Sequence, residues 1–367
     1  MSKNAACAKI HEAMESFFGE ILTDCEPYGS GHINDTFLAV WNGKRYILQR
    51  MNTVVFPRPT EMMENIAGVT AHIRAKAAQR GEDTSRVSLT VIPTRDGADC
   101  FCDSIGSWWR VYLFVEDTIA RQQVENAKDF EICADAFGRF QQDLADYPAE
   151  KLHETIANFH NTPWRVENLK QAIAEDACGR CGETAEEIAF ALAREEFAGT
   201  LERAHAAGEL PLRVTHNDTK LNNILFDANT GAAACVIDLD TVMPGYSVND
   251  FGDSIRFGAN TAVEDETDLS KVSLDLDLFE AYARGFLRGC GGRLTKQEME
   301  LLPEGAMMMT YECGIRFLTD YLAGDTYFKI HRPKHNLERC RDQFALLADM
   351  EKKLPQMRAI IQKLMTA

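Results

Sequence analysis

The chain opens with helical spacing and mixed charges (MSKNAACAKIHEAME) and then changes period. Residues 35–41 (DTFLAVW) and 44–51 (KRYILQRM) are two β-favouring runs separated only by Asn42-Gly43, a dipeptide suited to a two-residue hairpin. Apolar positions recur at helical spacing over about 60–80. VSLTVIPT (87–94) and WWRVYLFVE (108–116), either side of a turn at Asp96-Gly97, read as further strands. From about residue 120 the period is mostly helical, with helices expected at 126–145, 163–176, 186–206, 274–290, 297–323 and 335–366. One strand–turn–strand island interrupts them at 212–240, with its turn at Ala228-Asn229-Thr230-Gly231. The pattern predicts an α+β protein. A small β-rich lobe with one inserted helix spans 1–116 and a mainly helical lobe spans 117–367.

Composition narrows this further. The 367 residues are 45% hydrophobic, enough for one large domain or two lobes. A net charge of −17 disfavours nucleic acid and anionic membranes as partners. Eleven cysteines, odd in number and scattered, do not suit a disulfide framework, and Cys178-Gly-Arg-Cys181 lacks the two further ligands of a zinc site. The N-terminus lacks the apolar core of a signal peptide, and no apolar run nears the ~20 residues that span a bilayer. The expectation is a soluble, cytoplasmic protein; the sequence carries no sign of its oligomeric state.

The island holds the chemistry. It reads His216-Asn217-Asp218-Thr219-Lys220-Leu221-Asn222-Asn223, the spacing H-x-D-x-x-x-x-N, and a strand-borne Asp238 follows. Phosphoryl transfer from a nucleotide needs a carboxylate near the attacking hydroxyl and magnesium held by hard oxygen ligands. On this reading Asp218 is the catalytic base or positions the acceptor hydroxyl. Asn223 and Asp238 are the magnesium ligands, and Lys220 neutralises the γ-phosphate. The letters DFG at 250–252 are a coincidence. Asp250 lies 27 residues after Asn223, beyond the turn Met243-Pro244-Gly245 and at the start of a helix, where it is expected to cap or to accept bonds from the loop backbone. Gly29-Ser30-Gly31-His32-Ile33-Asn34 is one glycine short of a nucleotide fingerprint. Its place between two strands suits a loop folded over phosphates, the alternative being a plain hairpin turn. No P-loop pattern occurs.

The stretches HNDTKLNN, VIDLDTVMPG and DFGDSIRFG, with EPYGSGHIN, RYILQRMNT and MTYECGIRFLTDYLAGDTYF, resemble the aminoglycoside phosphotransferase-like kinases, a branch of the protein-kinase-like fold. Within that branch they are similar to the N-acetylhexosamine 1-kinases. The resemblance implies ATP, Mg²⁺ and transfer of the γ-phosphate to the anomeric hydroxyl of GlcNAc or GalNAc. It also implies adenine held by the backbone at Phe114–Glu116, through Glu116, with phosphates near Gly29 and Gly31. One departure stands out: the strand that carries a phosphate-binding lysine in protein kinases reads Tyr46-Ile47-Leu48-Gln49-Arg50, and Arg50, Arg45 or Lys220 could substitute. Arg316, His32 and Asp240 are the candidate sugar contacts. Arg316 and Asp320 stand four apart on one helix face. Kinases of another small alcohol, such as an aminoglycoside, choline or homoserine, share the fold and are the alternative.

Overall fold

The computed structural model describes residues 3–29, 33–121, 123–124 and 126–366. Gly31 and His32 lie outside the described residues. The chain forms two compact units. The first comprises residues 1–120, 143–157 and 223–244, and the second comprises 121–142, 158–222 and 245–367.

The first unit is built on an antiparallel sheet of β1 (Cys25–Pro27), β2 (Asp35–Trp41), β3 (Lys44–Met51), β4 (Val91–Ile92), β5 (Phe101–Cys102) and β6 (Trp108–Leu113). The order is β1-β2-β3-β6-β4, with β5 also pairing β6. Asn42 (φ 49°) and Gly43 (φ 72°) both take left-handed conformations, as a two-residue hairpin matching strand twist requires. The hairpin pairs Trp41 with Lys44 and Asp35 with Arg50. One sheet face buries Tyr46, Leu48, Trp109 and Val111 against Ile10, Phe17 and Phe18 of the first helix, Lys3–Phe18. The inserted helix is Pro59–Arg80. The strand expected at 87–94 is reduced to Val91–Ile92. Asp83 accepts the backbone N–H of Ser85 at 3.0 Å and starts a helical turn at Thr84–Val87 that uses up the strand's first residue.

The second unit is helical, with its main helices at Ala127–Asp143, Thr162–Glu175, Ser247–Gly258, Leu276–Gly289, Leu302–Leu322 and His335–Met365. Two expected helices are broken. Residues 186–206 form three short segments, Ala185–Leu192, Glu195–Ala198 and Thr200–Ala206. Residues 297–323 divide into Lys296–Glu300 and Leu302–Leu322, because Pro303 opens a new helix more readily than it continues one. Gly252 belongs to the packing of Ser247–Gly258 on Leu302–Leu322. A Cβ there would lie 2.3 Å from the Gly305 carbonyl oxygen, so no larger residue fits the crossing.

Candidate active site

In the first unit the metal candidates sit on the hairpin Ile224–Asp227 / Ala233–Val236, which pairs Ile224 with Val236. The Ile237 N–H donates to the Asn223 carbonyl at 2.9 Å, so the pairing runs one residue beyond the strands and ends at Asp238. Asp238 then turns the chain in a left-handed conformation (φ 60°, ψ 55°) into the short helix Leu239–Thr241. Aspartate tolerates this region better than most residues.

Beside that turn stands a buried cation that the sequence reading did not single out. Arg110, in the middle of β6, is 2% exposed and faces Gln49 across the β3–β6 register. Its Nη1 donates to Asp240 Oδ1, and its Nε donates to Gln49 Oε1 at 2.9 Å. Asn34 Nδ2 donates to Asp240 Oδ2 at 2.7 Å, while Asn34 Oδ1 accepts the Asn52 N–H at 2.9 Å. Both oxygens of Asp240 are thus engaged inside the first unit, where the side chain ties the end of the 28–34 loop to the Asp238 turn. Burial opposes the charge on Arg110, but the Asp240 carboxylate, with Tyr112 and Asp238 beyond it, holds the guanidinium firmly protonated. An arginine inside the apolar run WWRVYLFV was the available signal, since such a charge is rarely buried without a partner.

The cations proposed for β3 are also paired. Arg50 Nε donates to Asp35 Oδ2 at 2.7 Å. Arg45 Nε donates to Glu116 Oε1 at 3.1 Å, and its guanidinium lies 4.2 Å from the centre of the Phe114 ring. That hydrogen bond keeps the Glu116 carboxyl below its ordinary range. The backbone of the 114–116 segment is braced as well. The Phe114 N–H donates to the Arg45 carbonyl at 3.1 Å, and Arg86 Nη1 donates to the Glu116 carbonyl at 2.7 Å. Gly29 lies at φ 77°, in the loop that precedes β2.

In the second unit, the loop 216–220 is held from below. His216 is fully buried with its ring edge-on to Phe137 and Phe140, at 5.4 and 6.0 Å between centroids. The Asp218 N–H donates to His216 Nδ1 at 3.3 Å. Asp250 accepts the N–H groups of His216 and Asn217 at 2.9 and 2.7 Å, and Gln141 Nε2 at 2.9 Å. Asp250 therefore supports the loop, as its position at a helix start suggested. Lys220 Nζ lies 2.5 Å from Asp218 Oδ1, with both side chains under a third exposed. Burial pushes the Asp218 carboxyl up, but Lys220, then His216 and Arg256, outweigh it and hold Asp218 ionised below its ordinary range. Burial likewise works against the Lys220 ammonium, and Asp218 and Asp253 raise it overall.

Arg316 lies among rings, its guanidinium carbon 5.7 Å from the Phe159 centroid and 5.5 Å from that of Phe328. Asp320 turns away from it. Its oxygens accept the N–H groups of Thr326, Tyr327 and Phe328 at 2.9, 2.8 and 2.9 Å and Asn336 Nδ2 at 2.8 Å. Among the described residues no carboxylate lies within ion-pair distance of Arg316 or of Arg165, whose Nη2 donates to the Phe159 carbonyl at 2.9 Å. Burial and the like charge of Arg316 both lower the Arg165 pKa.

A model of the APH phosphotransferase enzyme family matches residues 24–289, which take in the sheet, the loop 216–223, Asp238 and Asp250. The chain belongs to this phosphotransferase family. Solved structures similar to this family member include the microcompartment-associated aminopropanol kinase, 14% identical, TM-score 0.60, with 95% of this chain and 98% of that chain covered. The Plasmodium vivax ethanolamine kinase is 12% identical with TM-score 0.61, covering 93% of this chain and 89% of that one. A spectinomycin phosphotransferase solved with ADP and spectinomycin is 12% identical with TM-score 0.56, covering 95% and 98%. At these identities the likeness establishes the fold: α+β and protein-kinase-like. Among the described residues no helix is long and apolar enough to cross a membrane, no group of three or more His, Cys, Asp or Glu is placed to hold a metal, and the ten cysteines from Cys25 to Cys340 are free.

Proposed function

We propose that this phosphotransferase uses ATP and Mg²⁺ to phosphorylate the anomeric hydroxyl of an N-acetylhexosamine, GlcNAc or GalNAc, releasing the sugar 1-phosphate. Residues 1–116 serve nucleotide binding, and 117–367 carry the catalytic loop and the acceptor site. The hydroxyl oxygen attacks the γ-phosphorus, the bond to the β,γ-bridging oxygen breaks, and ADP leaves. Asp218 orients the hydroxyl and takes its proton. A carboxylate held below its ordinary range is a weak base, which suits a loose transition state in which the proton moves late. Lys220 turns from Asp218 toward the charge that develops on the transferred group. An amide oxygen from Asn223 and a carboxylate from Asp238 are hard oxygen donors of the kind magnesium takes; these two residues would hold the ion, and it would neutralise phosphate charge. The backbone at 114–116 receives adenine, the loop containing Gly29 and Gly31 covers the phosphates, and Arg50, on the strand that lacks the lysine, is the candidate to stand in for it.

For the acceptor, the supporting observation is the pair Arg316 and Arg165, two guanidiniums beside aromatic rings with no carboxylate in ion-pair contact among the described residues; the carboxylate whose charge they feel, Glu312, is hydrogen-bonded to His160 and Thr162. Such a place repels an ammonium and suits the hydroxyl and carbonyl oxygens of a sugar stacked on rings. His32 joins them on the family comparison alone. A second reading, phosphorylation of a small amino alcohol, is supported by the names of the aminopropanol and ethanolamine kinases. An ADP-release screen over GlcNAc, GalNAc, simple hexoses, ethanolamine, choline and an aminoglycoside separates the two, with phosphorus NMR of the product. An anomeric phosphate signal is expected with the hexosamines; turnover confined to the amines overturns the sugar reading.

A further inference from the structure

Helix Leu302–Leu322 carries a buried glutamate: Glu312, 1% exposed, in a stretch of the helix where Met309, Tyr311 and Ile315 are buried too. Two donors share its carboxylate. Thr162 Oγ1 donates to Oε2 at 2.7 Å, and His160 Nδ1 lies 2.8 Å from Oε1. The other ring nitrogen, His160 Nε2, lies 3.0 Å from the backbone carbonyl oxygen of Asn217. A carbonyl oxygen has no proton to give. Neither has the Glu312 carboxylate: burial pushes it up, but His160, Arg316 and Thr162 outweigh burial and keep it below its ordinary range. Both imidazole nitrogens must then donate, and imidazole donates from both only as the cation.

The bond to Asn217 falls at a sensitive place. Asn217 is left-handed (φ 64°) and immediately precedes Asp218. Its N–H is held by Asp250 at 2.7 Å, and its carbonyl is held by His160. That carbonyl shares a planar peptide with the Asp218 N–H, which donates to His216 Nδ1. Fixing the plane fixes where the Asp218 Cα sits and the N–Cα axis about which its side chain can swing. We propose that His160, held as a standing imidazolium by Glu312, is a positioning residue that pins the Asn217 carbonyl and so aims the Asp218 carboxylate. The role rests on the reading of Asp218 as the group that meets the acceptor hydroxyl.

Several charged groups bear on the imidazolium. Burial works against it; Glu312 from Leu302–Leu322 and Asp253 from Ser247–Gly258 favour it, and the balance is upward. Arg316 on Leu302–Leu322 and Arg165 on Thr162–Glu175 both interact with Glu312 and compete for its charge. Deprotonation would cost one of the two ring bonds and release either Glu312 or the Asn217 carbonyl.

The test pairs NMR of ¹⁵N-histidine-labelled protein with kinetics of two variants. The imidazole signal missing from His160→Gln should keep both ring protons above the range where an ordinary histidine titrates. His160→Gln should lower kcat about tenfold or more while leaving the nucleotide KM unchanged, as expected of lost alignment rather than lost binding. Glu312→Gln keeps the shape but removes the counter-charge, and should move the alkaline limb of kcat to lower pH, which a merely structural role would not do. A His160 signal that titrates as an ordinary histidine, or a Glu312→Gln limb that stays in place, overturns the proposal. Should the wild type phosphorylate no hydroxyl, the functional reading fails, and the NMR titration still decides the charge on His160.

Discussion

The backbone N–H of Asn217 donates to the Asp250 carboxylate at 2.7 Å, which makes the aspartate of the DFG letters a support for the catalytic-motif loop. Asp250 also takes the His216 N–H and Gln141. An asparagine there can offer its amide oxygen to one loop N–H but must turn its own N–H₂ toward another donor. Asp250→Asn is therefore expected to lose about 1–3 kcal/mol of stability in urea unfolding. Turnover should fall while the magnesium concentration at half-activity stays unchanged. Asp238→Asn should do the reverse, raising the magnesium requirement with little effect on unfolding. Exchange of these two outcomes would place the metal on Asp250.

Removing the Asp218 carboxylate removes the group proposed to hold and deprotonate the acceptor. Asp218→Asn should lower kcat by roughly 10²- to 10⁴-fold, the range of a positioned acid–base group, with nucleotide affinity retained. ADP release and nucleotide-induced thermal shifts check the two halves. Because Lys220 keeps Asp218 ionised below its ordinary range, this group should put no acidic limb on kcat between pH 5 and about pH 7. Undiminished turnover in Asp218→Asn would remove the basis of the mechanism.

Arg110 and Asp240 form an ion pair in which neither side chain is more than 3% exposed. Arg110→Met leaves the Asp240 charge buried without its cation, and the expected loss is about 3–5 kcal/mol in urea unfolding. Adding Asp240→Leu to Arg110→Met should recover much of that loss, since a buried pair replaced by apolar groups is often neutral. A double variant no more stable than the Arg110→Met single would show that the pair does more than neutralise itself.

Asp342 is fully buried, and Asn260 Nδ2 and Gln343 Nε2 donate to its Oδ1 at 3.3 and 3.0 Å. Burial raises its pKa to about 7; Gln343 pulls it down and Glu264 pushes it up. The folded value lies above the unfolded value near 3.9, so protonation favours the fold. That contribution is fully present below about pH 4 and is lost as pH rises through about 7. Asp342→Asn has no proton to lose. The stability of wild type relative to this variant should fall by roughly 2–4 kcal/mol between pH 4 and pH 8. Parallel stability curves for the two proteins would show that Asp342 does not titrate in this window.

Local pattern carried much of the fold. The hairpin at Asn42-Gly43, the strands flanking it, the inserted helix and the long C-terminal helix all follow from spacing and turn residues within a few positions of each other. The H-x-D-x-x-x-x-N loop was legible for the same reason, and so was the placing of Asp250 at a helix start. Two of the misjudged elements are places where a local competitor won, the Asp83 cap over a strand and Pro303 over a continuous helix; the breaks within 186–206 follow no such local signal.

The sequence by itself determined where the loop, the hairpin and their acids and amides lie along the chain, because those features depend on neighbours a few residues away. Only the tertiary structure decided who holds them. Arg110 meets Asp240 across 130 positions, and His160 meets Glu312 across 152. Such partners are chosen by sheet register and helix packing, which bring together residues whose separation follows no period. A buried charge then takes whatever counter-charge the packing delivers, because leaving it alone in the interior costs too much.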